Sequence, residues 1–298
     1  MGSRTKIEQF GRTVGERSLK SNDVNPPPPP RPPSPAEHFV LVHGIGGGAW
    51  CWYKMRCLME NSGFKVSCLD LKGAGMDPTD PNTILSFQDY NKPLLDFLSS
   101  LPHNEQVILV GHSAGGLSLS DAIIKFGKEK IKLAVFVAAT MLKSGFMTDQ
   151  DLKDGAPDLS RYGEMNEVYE MGFGLGEGHP PTTLMVKKEL QRSIIYQLSP
   201  HQDSTLAAML VRPGPIQAIL TAKFSGGGDE KLDPPPVPRI YIKTREDNVM
   251  KSEQQAAMIE KWPPSDVYDL ESDHSPFFSA PFLLFGFLVK AAALSFGY

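Results

Sequence analysis

From His38 onward the apolar positions fall into two alternating rhythms. Short, nearly continuous apolar runs occur at HFVLVHG (38–44), FKVSCLDL (64–71), QVILVGHS (106–113) and KLAVFVAAT (132–140). Between them lie longer stretches, AWCWYKMRCLMENSG, FQDYNKPLLDFLSSL and GGLSLSDAIIKFG, in which apolar residues return at helical spacing. The first kind predicts strands and the second amphipathic helices, an alternation that builds parallel βαβ units. Continuous rather than alternating apolar runs predict a sheet buried on both faces.

After Thr140 the rhythm breaks, and about 143–210 reads as loops and short helices rich in Gly, Met, Tyr and Phe. It resumes with a strand at VPRIYIKT, a helix over EQQAAMIEKW, a strand near DVYDL and a closing helix. The expectation is an α/β domain over 38–298, its mostly parallel sheet flanked by helices on both faces. The insertion at about 143–210 is expected to form a helical cap over the C-terminal edge of the sheet, where open α/β folds bind ligands. The loop FSGGGDEKLDPPPVP (224–238) is expected to be mobile.

Composition changes this picture at the two ends of the chain. The first 37 residues include prolines at 26–30, 32, 33 and 35, which enforce an extended polyproline II segment that cannot join a core. That segment reads as a solvated spacer, with docking to a proline-recognition module as the other reading. It lacks the apolar core of a secretory signal, and its mixed acids and bases argue against a transit peptide, so a cytoplasmic location is expected, with plastid targeting left open. The closing PFLLFGFLVKAAALSFGY carries Lys290 and reads as a core helix, so no membrane span is expected. A formal net charge of −4 gives no sign of a nucleic-acid or anionic-membrane surface. Cys51, Cys57 and Cys68 lack CxxC spacing, which suggests neither a disulfide framework nor a zinc site and fits a reducing compartment.

The candidate chemistry starts at GHSAG, where Ser113 lies between a predicted strand and a predicted helix. A strained turn there pushes the serine oxygen out of the sheet edge, with glycines relieving the crowding. Such a serine needs a base to accept its proton and an acid to orient that base, in the chain order serine, acid, histidine. His274, in LESDHSPFF after the last strand, is the predicted base. His112 is expected to point away from the serine, and His38, His43, His103, His179 and His201 are expected to be structural or superficial. The acid falls in REDNVM, where Asp247 is preferred, Glu246 is the local alternative, and Asp273 is disfavoured because it adjoins the histidine. The N–H groups of Ala114 and of Ile45, in HGIGGGAW, are the expected donors to a tetrahedral oxyanion. That loop matches neither phosphate-binding glycine pattern, and Asp70 is expected to brace a loop. No metal or organic cofactor is expected.

Beyond these motifs, HFVLVHGIGGGAWCWYK, GFKVSCLDLKGAG, PLLDFL, EQVILVGHSAGGL, AVFVAA, LVRPGP, PRIYIKTREDNVM and SDHSPFF together resemble the plant methylesterase and hydroxynitrile lyase family of the α/β-hydrolase superfamily. The resemblance implies cytosolic enzymes that hydrolyse methyl esters of small plant hormones such as indole-3-acetate, jasmonate and salicylate. It carries nucleophile, acid and base onto Ser113, Asp247 and His274, and the oxyanion donors onto Ile45 and Ala114. The lyases of the family have threonine where this chain has Gly44 and lysine where it has Ser275, which favours an esterase. The wording of WCWYK, of the stretch from GAPDLS to MGFGLG and of ESDHSPFF is closest to the branch active on methyl indole-3-acetate. A flat aromatic acyl group would suit a pocket lined by Thr140, Met141, Met147, Tyr162, Tyr169, Met171 and Phe173, although cap aromatics serve internal packing equally often. The expected partner is a small methyl ester, and oligomeric state stays open, a homodimer included. A hormone receptor built on the same fold is the reading from a different class.

Overall fold

The computed structural model describes residues 37–176, 178–225 and 237–294. The proline-rich segment and most of the loop at 224–238, on which two expectations fell, lie outside the described residues.

In chain order, β1 (His38–Val42), α1 (Tyr53–Asn61), β2 (Lys65–Leu69), α2 (Phe87–Ser100), β3 (Val107–His112), α3 (Gly115–Lys130) and β4 (Ile131–Val137) form the first half. The chain then leaves the sheet through α4 (Asp149–Gly155), α5 (Met165–Val168), β5 (Tyr169–Gly172), β6 (Thr183–Val186), α6 (Lys188–Ile194), α7 (His201–Leu210) and α8 (Ile216–Leu220). It returns with β7 (Arg239–Thr244), α9 (Ser252–Lys261), β8 (Asp266–Leu270), α10 (Pro276–Ser279) and α11 (Pro281–Leu294). The main sheet has the order β2-β1-β3-β4-β7-β8, and every pairing in it is parallel.

The apolar runs divide between two cores because side chains alternate across a pleated strand. Val40, Val42, Leu109, Phe136 and Tyr241 enter one core with Leu94 and Leu98 of α2, Leu117 and Leu119 of α3 and Met258 of α9. Phe39, Leu41, Ile108, Val110, Val135 and Ile242 enter the other with Met55 and Met59 of α1 and Leu284 and Leu288 of α11. Both faces of the sheet are therefore covered by helices. The closing helix contributes Leu284, Leu288, Ala291 and Ala292 to the core, and among the described residues no helix is long and apolar enough to cross a membrane.

The insertion differs from the expected loops and helices by containing an antiparallel sheet of β5 and β6. Each strand is four residues long, YEMG and TLMV. Runs this short carry no legible alternation, and only their pairing across the intervening loop makes them strands.

Candidate active site

Adjacent strands β1 and β3 deliver the Gly44 loop and Ser113 to the same sheet edge, where the strand order reverses. Adjacent strands β7 and β8 deliver Asp247 and His274 to that edge as well. Ser113 occupies the left-handed region, with φ +53°, a conformation that costs a non-glycine residue about 1–2 kcal/mol. The turn is over-determined: the Ser113 carbonyl accepts from the N–H groups of Gly116 and Thr140, both at 3.0 Å. Glycine is required at 115 and 116, since a Cβ there would lie 2.6 Å from the His43 carbonyl oxygen and 2.3 Å from that of Thr140.

His274 Nδ1 lies 2.8 Å from Asp247 Oδ2, and both side chains are buried. Asp247 also accepts from the Thr244 hydroxyl at 2.7 Å and from the N–H groups of Val249 and Met250, both at 2.8 Å. Burial alone would push this carboxyl up, but the His274 charge and hydrogen bond, with the Met250 N–H and Thr244 hydroxyl, hold it below the usual carboxylate value. Glu246, the alternative acid, has an exposed side chain, and its main-chain carbonyl accepts from Gln197 at 2.5 Å. No hydrogen bond joins the Ser113 hydroxyl to His274 among the described residues, a looseness common in unliganded sites.

His112 has a structural place beside His274. Its Nε2 donates to the His274 carbonyl at 2.6 Å, and its ring sits 4.7 Å from the His274 ring with Phe277 and Trp52 edge-on. A carbonyl only accepts, so the single proton of neutral His112 resides on Nε2. Burial, followed by the neighbouring His274 charge, pushes the His112 pKa down to about 3.

Asp273, disfavoured as the acid, ties the loop that carries His274 to the insertion. Its Oδ2 accepts from the Leu198 N–H at 3.0 Å and the Ser199 hydroxyl at 2.8 Å, and its Oδ1 from the Ser275 N–H at 2.9 Å and the Ser279 hydroxyl at 2.8 Å. Asn248, in the acid loop, donates to the Ser193 carbonyl at 3.1 Å. Asp70 braces the Gly44 loop by accepting from the Ala49 N–H at 2.6 Å, and His43 Nδ1 lies 2.7 Å from the Gly44 carbonyl oxygen. The N–H groups of Ile45 and Ala114 donate to no protein acceptor among the described residues.

A cavity of about 390 Å³ opens at this edge. Its floor includes Gly44, Ile45, Ser113 and His274, and its far wall includes Leu159, Met165, Tyr169, Leu184, Gln191 and Tyr196 from the insertion. A wider depression of about 630 Å³ adjoins it along Ala156, Pro157, Leu159, Met165 and Tyr169. Of the residues expected to line the pocket, Tyr169 does so. Thr140 and Met141 lie buried behind the wall, the Thr140 hydroxyl donating to the Gly155 carbonyl at 2.7 Å and Met141 N–H to the Met258 sulfur at 3.2 Å. Met147 and Phe173 are 54% and 46% exposed, Tyr162 packs in a satellite cluster with Leu159, Val168 and Ile194, and Met171 is not in the wall. Composition identifies an apolar insertion, but which of its side chains face inward depends on how its distant segments pair. Among the described residues no group of three or more His, Cys, Asp or Glu side chains is placed to hold a metal ion.

Comparison with known proteins is consistent across sequence and structure. The model of the Alpha/beta hydrolase family matches residues 39–285. Methylesterase 17 of Arabidopsis thaliana is 59% identical over 255 residues, covering 86% of this chain and 91% of that protein. Pheophorbidase of Raphanus sativus is 43% identical over 261 residues, covering 86% of this chain and 94% of that protein. The crystal structure of the methylesterase protein MES16 from Arabidopsis superimposes with a TM-score of 0.75 at 40% identity, covering 87% of this chain and 100% of that chain.

Proposed function

The chain belongs to the α/β-hydrolase family and, within it, to the plant methylesterases, so it is a serine ester hydrolase, and we propose that it converts methyl indole-3-acetate to indole-3-acetate and methanol. The observation that carries the proposed site is the buried His274–Asp247 pair at the same cavity as a serine in a left-handed turn.

In the proposed reaction His274 Nε2 takes the Ser113 proton as the oxygen attacks the ester carbonyl. The N–H groups of Ile45 and Ala114 receive the oxyanion, and ionised Asp247 stabilises the imidazolium. His274 then gives the proton to the departing methoxide oxygen and methanol leaves. A water deprotonated by His274 attacks the acyl carbon, and His274 returns that proton to the Ser113 oxygen as its bond to the acyl group breaks and the free acid leaves.

Support for an aromatic acyl group comes from the size and lining of the cavity. Its volume of about 390 Å³ lies at the small end of ligand pockets, which span roughly 300–1,000 Å³. Methyl jasmonate and methyl salicylate are the competing esters of the same class. A cyanohydrin lyase is disfavoured by Gly44, where a Cβ would fall 2.7 Å from the Ser113 Cβ and a threonine would displace the nucleophile. The same reading includes a cytoplasmic location, supported by three free cysteines of which Cys57 is exposed. Fractionation of cells expressing the full chain checks it, and recovery in plastids would refute it.

Methanol release tests the reaction. Sustained turnover of methyl indole-3-acetate, lost in Ser113→Ala, with a higher kcat/KM than for methyl jasmonate, salicylate or gibberellin esters, is the expected result. A single slow turnover accompanied by ligand-dependent binding of a protein partner would instead identify a receptor.

A further inference from the structure

The segment 211–214, by which the chain leaves α7, runs against the loop that carries Ile45. The Arg212 N–H donates to the Gly46 carbonyl at 3.0 Å, and Gly214 exchanges two hydrogen bonds with Leu184 of β6, at 2.8 and 2.9 Å. The two stretches of backbone approach so closely that their contact points leave no room for a Cβ. One added at Gly46, where φ is +72°, would lie 2.6 Å from the Arg212 carbonyl oxygen. One added at Gly214 would lie 2.1 Å from Ile45 Cγ1 and 2.9 Å from the Gly46 nitrogen. Ile45 thus rests on bare backbone, and a drift of 211–214 carries Ile45 with it.

Arg212 fixes that segment. Its guanidinium donates through Nη1 to the carbonyls of Gly75 at 3.3 Å and Asp77 at 2.5 Å, and through Nη2 to that of Thr79 at 3.3 Å, all in the loop after β2. That loop is tied back to the Gly44 loop, since the Asp70 carboxylate accepts from the Met76 N–H at 3.0 Å and the Ala49 N–H at 2.6 Å. A circuit of hydrogen bonds therefore runs from Gly46 through Arg212, the loop after β2 and Asp70 to Ala49. Holding several carbonyls at once takes a planar fork of donors, which an ammonium on a flexible stem does not supply. Such rigidity matters at this loop because an oxyanion donor is effective when it is aimed before charge develops.

We propose that Arg212 is a positioning residue for the reaction: it clamps 211–214 against Ile45 and so presets the Ile45 N–H for the oxyanion, with Gly214 as the point of contact. This rests on the esterase reading, with Ile45 as donor, and deepens it. The insertion then shapes the transition-state site as well as the wall of the acyl pocket.

The test separates transition-state from ground-state binding. The probe is a trifluoromethyl ketone with CF3 in place of the methoxy group of methyl indole-3-acetate. Ser113 Oγ adds to its carbonyl carbon, the serine proton passes to His274, and the carbonyl oxygen becomes an oxyanion of the kind the donors receive. In Arg212→Lys the affinity for this ketone is expected to fall about tenfold to a hundredfold, and kcat with it. KM, and the affinity of the ester for Ser113→Ala carrying the same change, should stay within about twofold. Gly214→Ala should give the same split, and adding Ile45→Ala, which removes the carbon that the new methyl meets, should restore part of the loss. The ester affinity also reports that each variant is folded. If Arg212→Lys does not fold, the Gly214→Ala and Ile45→Ala pair decides by itself. Equal losses for ketone and ester would make Arg212 part of the wall alone and overturn the proposal, as would a Gly214→Ala defect that Ile45→Ala leaves untouched. If the unaltered enzyme binds the ketone but releases no methanol from any ester, the esterase reading falls while the ketone affinities still decide the role of Arg212. If it turns over the ester and its ketone affinity is indifferent to both Arg212→Lys and Gly214→Ala, the esterase reading stands and the role of Arg212 falls.

Discussion

His112 donates its Nε2 proton to the main-chain carbonyl of His274 over 2.6 Å, so the residue before Ser113 holds the backbone of the proposed base. Replacing it with Gln removes both the ring contact and the fixed donor. We expect kcat to fall about tenfold to a hundredfold with a smaller change in KM, because misplacement of a reacting group by about 1 Å has that scale of effect. Steady-state kinetics on methyl indole-3-acetate checks this, and an unchanged kcat would mean that the loop needs no such support.

The same residue gives a pH signature in stability. Its pKa is about 3 in the folded chain against an ordinary 6.5, so the unfolded chain binds the extra proton between those values. Stability from this group is complete above about pH 6.5 and declines as pH falls toward 3, by up to about 1.4 kcal/mol per pH unit. Urea melts of the wild type and His112→Gln across that range should converge on acidification. Parallel curves would refute the assignment.

Asp247→Asn is expected to lower kcat by about 10⁴, as loss of the orienting carboxylate does in a triad, whereas Glu246→Gln should stay near wild type. The Asp247 pKa is depressed on folding, so its contribution to stability is present above the unfolded value near 3.8 and is lost as pH falls through the folded one. Activity of the two amide variants is the deciding measurement. Loss of activity on changing Glu246 alone would reverse the assignment.

Asp273→Ala strips the partner from four donors, two on the insertion and two on the base loop and α10. Each buried donor left unpaired costs about 1–3 kcal/mol. A destabilisation of about 3 kcal/mol or more is expected in denaturant melts, with Asp273→Asn intermediate because one amide oxygen can still accept.

Gly44→Thr places a branched side chain where even a Cβ would lie 2.7 Å from the Ser113 Cβ. Esterase kcat should drop about a hundredfold as the nucleophile shifts. Wild-type kcat in this variant would show that the Gly44 loop yields without moving Ser113.

Much of this chemistry was written locally. Ser113 was legible because a strand, a glycine-flanked serine and a helix are consecutive, and the sharp turn between them leaves that composition few other conformations. The apolar runs of β1, β3 and β4 named the sheet because strands covered on both faces have no polar side to show. The order serine, acid, histidine followed from strands that each end in a loop at one edge. Asp247 was preferred over Glu246 from sequence, and what the fold adds is that it turns Asp247 inward against His274 and leaves Glu246 exposed.

The cavity wall was decided in tertiary structure. Thr140, Met141, Met147 and Phe173 have the right chemistry for a pocket, yet the pairing of β5 with β6 and the packing of α6 put Leu184 and Gln191 there beside Tyr169. His112, at the end of β3, is tied to the His274 backbone by a partner 162 residues away, and Asp273 to the insertion by a partner 75 residues away. Sequence pattern determines which segments become strands and where a strained turn can place a nucleophile, because those are short-range consequences of side-chain shape and backbone freedom. Which side chains line the cavity is settled only when distant segments close around it.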